Sequence, residues 1–152
     1  MAAEQRNYGL VADLGALEQF VDRLVAAGEP IGFDIETGYR GCSKEKASLH
    51  PEDPVSMVVG FSFTNSTAWA RYVPLAHDGG PNLDPGEVAP ILWRLLSSGL
   101  AVAHNANFEA RWMATFFREF LPDSEQVAAS NGYTPWFSDT MLESYVAAEF
   151  AN

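Results

Sequence analysis

The sequence contains a single cysteine, Cys42, and few basic residues. One cysteine excludes an internal disulfide and a cysteine-based zinc site, and the three histidines form no metal-ligand pair at helical spacing. Nine Lys and Arg stand against 20 Asp and Glu, which gives a formal net charge of −11. Because phosphate affinity normally comes from a basic surface, this balance argues against a protein that binds nucleic acid unaided. It leaves open a nuclease active site, which uses acidic residues to hold metal.

Membrane and export signals are also missing from the sequence. The N-terminus has no basic segment followed by an apolar stretch, so no signal peptide is predicted. The charge-free run at residues 54–70 contains Gly60, Asn65 and several hydroxyls, and is too polar for a membrane span. We therefore expect a cytoplasmic protein with no membrane partner. Its 152 residues, 47% of them hydrophobic, predict one domain over residues 1–152.

Residues 30–37, Pro-Ile-Gly-Phe-Asp-Ile-Glu-Thr, are typical of a short buried strand that ends by presenting two carboxylates. Side chains alternate between the faces of a strand, so Asp34 and Glu36 are expected on one face and Ile35 on the other. Two adjacent anions would repel each other and lose hydration, and a divalent cation removes that cost. The alternative is that Asp34 caps a turn and Glu36 is solvated at the strand exit.

The spacing of apolar residues, with the positions of glycine and proline, predicts the remaining elements. Asp13 is the expected N-cap of a helix that Gly28 closes. Thr140 and Glu143 have the spacing of a capping box at the start of the last helix. The predicted order is a strand at 8–11, a helix at 14–28, a strand at 31–36, a polar loop at 38–54, a hairpin at 55–64 and 68–74, a helix at 85–98, a strand at 100–103, a helix to 120, a polar connection at 122–135, an apolar segment at 136–137 and a final helix.

A second acidic position follows the apolar segment at residues 100–103. Residues 105–109, Asn-Ala-Asn-Phe-Glu, are expected to form the first turn of a helix, whose free N–H groups and dipole favour anions. Glu109 would then project from the strand-to-helix junction toward the first pair of acids. The alternative is that Glu109 only complements the helix dipole and that Asn105 is only its cap.

Four segments together resemble the proofreading 3′–5′ exonuclease domain of family A DNA polymerases, a ribonuclease-H-like domain of the DEDD group. Residues 34–37 match its first motif, Asp-x-Glu-Thr, and residues 103–109, Ala-His-Asn-Ala-Asn-Phe-Glu, match its second. Residues 58–63 and 72–78 are similar to its hairpin, and residues 138–145 to the start of its next helix. The resemblance covers about residues 8–150.

The sequence departs from that family in two respects. The family usually has Asp where this chain has Glu109, which is one methylene longer. The third motif, Tyr-x-x-x-Asp or His-x-x-x-x-Asp, lies beyond the Asp139 helix in the family, and this sequence stops at Asn152 before reaching it. Asp139 matches a helix-capping aspartate, so we expect it to cap a helix and not to bind metal.

The resemblance implies an α/β fold, a ribonuclease-H-like mixed sheet with a leading antiparallel hairpin flanked by helices. It implies hydrolysis of single-stranded DNA 3′ ends with two Mg²⁺ or Mn²⁺ ions held by Asp34, Glu36 and Glu109. Thr37 and Asn105 match positions close to the terminal nucleotide. The implied partner is a polymerase domain or a second polypeptide that supplies the third motif. For His104 we expect a structural hydrogen bond at the strand end.

Two other interpretations of the sequence stay open. The chain could be a non-catalytic ribonuclease-H-like interaction module, or a generic acidic α/β domain whose carboxylates have no shared role. Metal binding separates the last interpretation from the others, and hydrolysis of a labelled strand separates the first two.

Overall fold

The computed structural model describes residues 7–40, 48–122 and 137–150. Their strands and helices are, in chain order, β1 (Asn7–Leu10), α1 (Leu14–Ala27), β2 (Ile31–Tyr39), β3 (Ser56–Ser66), β4 (Trp69–Pro74), α2 (Pro85–Ser97), β5 (Ala101–Ala103), α3 (Ala106–Phe120), β6 (Phe137–Asp139) and α4 (Thr140–Phe150). None of the described helices is long and apolar enough to cross a membrane.

The strands form one six-stranded mixed sheet in the order β1-β4-β3-β2-β5-β6. β2, β3 and β4 are antiparallel neighbours, whereas β5 runs parallel to β2, β6 parallel to β5 and β1 parallel to β4. The central strand therefore lies between an antiparallel hairpin and two parallel strands. This arrangement confirms the predicted α/β fold class and mixed sheet.

The sheet has one apolar and one polar face. On β2, Ile31, Phe33 and Ile35 are buried, whereas Asp34 and Glu36 are exposed. The predicted alternation of this strand is therefore confirmed. The apolar face continues on the neighbouring strands with Phe61, Phe63 and Val73, all of them almost fully buried. We call the opposite face, which carries Asp34, Glu36, Ser62, Thr64 and Tyr72, the open face.

Three helices supply the rest of the hydrophobic core. The buried stripe of α1 consists of Leu17, Val21 and Leu24. The Asp13 side chain accepts the N–H of Ala16 at 2.8 Å, and Gly28 ends the helix with a φ of 66°, which confirms both predicted caps. α2 and α3 contribute larger apolar side chains to the same cluster, among them Leu92, Leu95, Trp112, Met113 and Phe117.

β2 is longer than predicted. It continues past Glu36 to Tyr39, because Thr37 and Gly38 pair with Val58 and Met57 after a register shift between Glu36 and Thr37. The expectation that the strand ends at its carboxylates was therefore wrong, since pairing with β3 extends it through an irregularity of the β-bulge kind. Of the predicted loop at 38–54, residues 41–47 lie outside the described residues, as do 123–135 of the predicted connection.

Candidate metal and catalytic site

The carboxyl ends of β2, β5 and β6 meet at one edge of the sheet. The parallel pairs Ile31–Ala101 and Gly32–Val102 place the carboxyl end of β5, just before α3 begins, beside the part of β2 that leads to Asp34. On the other side of β5, Ala103 is paired with Asp139. The fold thus brings three acidic segments, separated by tens of residues in the chain, to a single edge. We call this edge, which carries Asp34, Glu36, Glu109 and Asp139, the acidic edge.

Glu109 is the buried member of this group. It is only 4% exposed, and its Oε2 atom is buried with no hydrogen-bond partner. Burial is the main cause that raises the pKa of Glu109 to about 7; a backbone hydrogen bond opposes the rise, and the charges of Asp34 and Asp139 add to it. The charges of Asp34 and Asp139 therefore act on the Glu109 carboxyl group, whereas the predicted metal site shared by Asp34 and Glu109 stays a prediction.

Asp34 and Glu36 lie side by side on the open face but have different neighbours. Loss of hydration raises the pKa of Asp34, whose charge acts on Glu109. The charge of Glu36 acts on Tyr72 of β4, which lies on the opposite side of β2 from β5. Burial first, and then the charge of Glu36, raise the pKa of Tyr72 to about 12, so its phenol stays protonated at neutral pH. Of the two acids of β2, Asp34 is therefore the one whose charge acts on Glu109.

Asp139 is a helix cap, as expected from the sequence. Its Oδ1 accepts the N–H of Met141 at 2.9 Å and that of Leu142 at 3.3 Å, at the start of α4. The predicted capping box of Thr140 and Glu143 was wrong, because Thr140 is already helical and the Glu143 carboxylate accepts the Ser138 hydroxyl instead. The carboxylate of Asp139 is therefore committed to backbone N–H groups.

Three further residues from the sequence motifs surround this edge. The Thr37 hydroxyl donates to the carbonyl oxygen of Ser48 at 2.7 Å and so ties β2 to the chain that follows it. Asn105 precedes α3 and is exposed, and its side chain makes no capping hydrogen bond. His104 Nδ1 lies 3.2 Å from the Thr140 hydroxyl, which confirms the structural hydrogen bond expected at the end of β5.

The donor atoms at this edge fit a hard divalent cation. Such ions take oxygen ligands, and the buried Glu109 Oε2 is a carboxylate oxygen with no partner. Among residues 7–40, 48–122 and 137–150, however, no three His, Cys, Asp or Glu side chains lie close enough together to hold a metal ion. Binding an ion would therefore require these side chains to move closer together.

The sequence analysis did not predict the contact between Tyr72 and His77 near Glu36. Tyr72 extends across Gly60, which is paired with Glu36, and its hydroxyl contacts His77 Nε2 at 2.6 Å. A glycine inside the apolar strand β3 was the available signal, since glycine within a strand often marks a close approach of another group.

A separate cavity of about 280 Å³ lies between the end of β2, the start of β3 and the outer half of α3. Its lining includes Arg40, Met57, Trp112, Phe116 and Phe120, and excludes Asp34, Glu36 and Glu109. Arg40 and Glu119, which both line this cavity, form a salt bridge at 2.9 Å. The cavity is therefore distinct from the acidic edge.

Comparison with known proteins gives little beyond this geometry. No protein-family model and no curated protein matches the sequence. Among solved structures, the chain is similar to one described as the apo form of a nuclease, with 14% identity and a TM-score of 0.43. The match covers 76% of this chain and 44% of that chain, so the present chain spans less than half of that protein's length. A likeness this weak supports no conclusion about activity.

Proposed function

We propose that this chain is a metal-dependent 3′–5′ exonuclease domain of the proofreading type, acting on single-stranded DNA 3′ ends as part of, or partner to, a family A DNA polymerase. The observation that carries the proposal is the buried Glu109 carboxylate, whose Oε2 has no partner and whose charged form is opposed by Asp34 and Asp139. A folded protein gains nothing from this arrangement, because burying an unpaired carboxylate is costly. A bound cation would remove the cost.

The proposal gives each acidic residue a separate role. Asp34 shares a strand face with Glu36 and its charge acts on Glu109, so it would contribute to either ion of a pair, whereas Glu36 and Glu109 would each contribute to one. Divalent ions at such a site activate water and stabilise the oxygen that leaves phosphorus. Asn105, exposed at the N-terminus of α3, would hydrogen-bond the terminal nucleotide. Thr37 would contact the same nucleotide through its backbone or through the lone pairs of its hydroxyl oxygen. Its hydroxyl hydrogen is already donated to the Ser48 carbonyl oxygen.

The surface charge supports the need for a partner. Phosphate contacts require free cationic side chains, and the chain carries nine Lys and Arg in all. Three arginines, Arg40, Arg94 and Arg111, are paired with acidic side chains at 2.9, 2.9 and 2.6 Å. Two more, Arg23 and Arg71, lie over the ring of Phe20. A polymerase domain or second polypeptide would therefore supply much of the affinity for DNA, together with the third motif.

A second candidate function is a ribonuclease-H-like interaction module without catalytic activity. The observation in its favour is that the described side chains contain no assembled group of three possible metal ligands. The two candidate functions differ in whether the carboxylates of the acidic edge bind a metal ion and support hydrolysis.

Calorimetric titration with Mn²⁺ tests the proposal. We expect the wild-type chain to bind Mn²⁺, Asp34→Ala to lose most of that affinity, and Asp78→Ala, at an exposed turn, to bind as the wild type does. A parallel gel assay follows degradation of a 5′-labelled single strand from its 3′ end. Equal Mn²⁺ affinity in the wild type and Asp34→Ala would overturn the exonuclease proposal, and binding without any cleavage would favour the interaction module.

A further inference from the structure

Two buried polar atoms of α3 lack the hydrogen bond that burial normally requires. Among the side chains of residues 7–40, 48–122 and 137–150, only Glu109 Oε2 and Trp112 Nε1 are buried without a partner. Glu109 is 4% and Trp112 2% exposed, so solvent does not compensate for either atom. One atom is an acceptor and the other a donor, since an indole nitrogen can only donate. Each unpaired atom costs free energy, and one hydrogen bond between them would remove both costs.

The two residues lie on the same face of α3. They are three positions apart, a spacing that sets their Cβ atoms about 5–6 Å from each other. The Trp112 side chain also points toward the N-terminal end of the helix, because its ring contacts that of Phe108, with centroids 6.2 Å apart. Phe108 and Glu109 belong to the same helical turn, so the indole lies over the turn that carries the carboxylate. Side-chain rotation, without movement of the helix, can therefore bring the two atoms together.

The cavity beside α3 provides no partner for the indole N–H. Trp112 lines that cavity, but its Nε1 atom is shielded from solvent, so water in the cavity does not reach it. The N–H therefore depends on an acceptor in the protein interior. Glu109 Oε2 is a buried acceptor without a partner, within one helical turn of it.

A hydrogen bond from Trp112 leaves Glu109 able to bind a cation. The two oxygens of a carboxylate have about four lone-pair sites, so one N–H contact leaves others for a metal ion. Hydrogen bonds of this kind orient the ligands of metal sites in proteins and increase their affinity. Glu109 has particular need of one, because it enters the acidic edge from a helix on a long side chain, whereas Asp34 and Glu36 lie on the central strand.

We propose that Trp112 is a positioning residue for Glu109: its indole N–H donates to the carboxylate and holds it toward the acidic edge. The purpose of this contact rests on the proposed exonuclease function, whereas the hydrogen bond itself can be tested without metal. Trp112 touches neither the ion nor the substrate and transfers no proton. Its expected effect is tighter binding of the cation.

The hydrogen bond is tested in the metal-free chain by ¹H–¹⁵N NMR of the tryptophan indoles, with Trp112→Phe identifying the resonance of Trp112. Glu109→Ala removes the acceptor and should move the Trp112 indole proton to higher field. Glu109→Gln retains an acceptor oxygen and should leave that proton close to its wild-type position. Glu119→Ala is the control and should have no effect, because this second glutamate of α3 is half exposed and paired with Arg40.

Calorimetric titration with Mn²⁺ tests the effect on the cation. Trp112→Phe keeps an aromatic ring in the core and removes the N–H, and should raise the Mn²⁺ dissociation constant roughly tenfold or more. Trp93→Phe makes the same change in a ring that packs edge to face on Phe117, and should bind Mn²⁺ as the wild type does. Binding is measured directly, so the test does not require the chain to cleave a strand.

Each outcome supports or overturns a separate claim. An indole resonance that is the same in the wild type and Glu109→Ala would overturn the hydrogen bond. Equal Mn²⁺ affinity of the wild type and Trp112→Phe would overturn the positioning role and leave the exonuclease proposal standing. Equal losses in Trp112→Phe and Trp93→Phe would also overturn that role, since core packing would then be the cause. A wild type without Mn²⁺ affinity would refute the exonuclease function and the positioning role, while the NMR result would still decide the hydrogen bond.

Discussion

The Oδ2 atom of Asp139 accepts the backbone N–H of Ala106 at 3.0 Å, which joins the end of β6 to the first residue of α3. The other oxygen, Oδ1, caps α4 through Met141 and Leu142. One carboxylate thus satisfies N–H groups at the starts of two helices, which otherwise have no partner within their own helix. Since Glu109 lies one turn into α3, the Asp139 contact also sets where the Glu109 side chain enters the acidic edge.

Asp139→Asn should retain only one of these two helix caps. An asparagine side chain has one acceptor oxygen, so it can cap one helix while its NH₂ group faces the N–H of the other. We expect a loss of roughly 1–2 kcal/mol in the free energy of unfolding and faster amide exchange at Ala106 or Met141. Asp84→Asn is the matched control, because Oδ1 of Asp84 alone accepts from both Gly86 and Glu87. Equal losses in the two variants, measured in urea, would contradict the double cap.

Glu109 should make metal-free stability depend on pH. Its pKa is about 7 in the folded protein against 4.5 as the ordinary value, so the folded state binds the proton more tightly. Stability is then fully present below about pH 4.5 and is lost as pH rises through 7. By pH 8 the difference amounts to roughly 3 kcal/mol at most.

Glu109→Gln removes this titration. Its stability relative to the wild type should therefore increase between pH 4.5 and pH 7, as followed by urea denaturation at several pH values. Glu18→Gln, at an exposed position of α1, should follow the wild type at every pH. A constant difference between Glu109→Gln and the wild type across that range would refute the raised pKa.

Asp34→Asn should change the pKa of Glu109. The charge of Asp34 raises the pKa of Glu109, so its removal should lower that pKa, as measured by NMR titration of the ¹³C-labelled carboxyl. Metal-free stability should be unchanged or higher, because one source of repulsion is gone. Glu36→Gln is the control, since Glu36 is not among the charges that act on Glu109. A Glu109 pKa that responds to Glu36 and not to Asp34 would reverse our description of the site.

Gly60→Ala should destabilise the protein far more than Gly32→Ala. At Gly60 the new Cβ would lie 2.2 Å from the Tyr72 Oη and 2.7 Å from the Val73 carbonyl oxygen, whereas at Gly32 the nearest atom is 3.4 Å away. We expect a cost of roughly 1–3 kcal/mol at Gly60. Adding Tyr72→Ala should recover only part of it, because the clash with Val73 is with backbone. Thermal or urea unfolding of the three variants measures this, and equal stability of the two alanine variants would contradict the contact.

The isolated chain should be a poor nuclease. The third motif is absent from the sequence, and a net charge of −11 repels nucleic acid most strongly where phosphate contacts would accumulate, on long strands. Adding a polypeptide that carries a Tyr-x-x-x-Asp segment should raise 3′-end degradation of a 5′-labelled strand by orders of magnitude. Robust, processive digestion by residues 1–152 alone, abolished by Asp34→Ala, would show that the missing motif is dispensable.

Local features of this fold could be predicted because they depend on near neighbours in the chain. The periods of 3.6 and 2 placed the helices and strands, and Asp13 and Gly28 act as caps within one helical turn of the groups they satisfy. The shared face of Asp34 and Glu36 also follows from the two-residue repeat of a strand alone. The sequence by itself therefore determined which side chains point together along each element.

Tertiary structure decided the relations between elements. β2 extends to Tyr39 because β3 pairs with it through an irregularity, and Asp139 reaches Ala106 only because β6 lies beside β5. The raised pKa of Glu109 likewise needs burial and the charges of two distant segments. These properties arise from pairing and packing between residues far apart in the chain, whereas the apolar period of one element determines only which of its own side chains share a face.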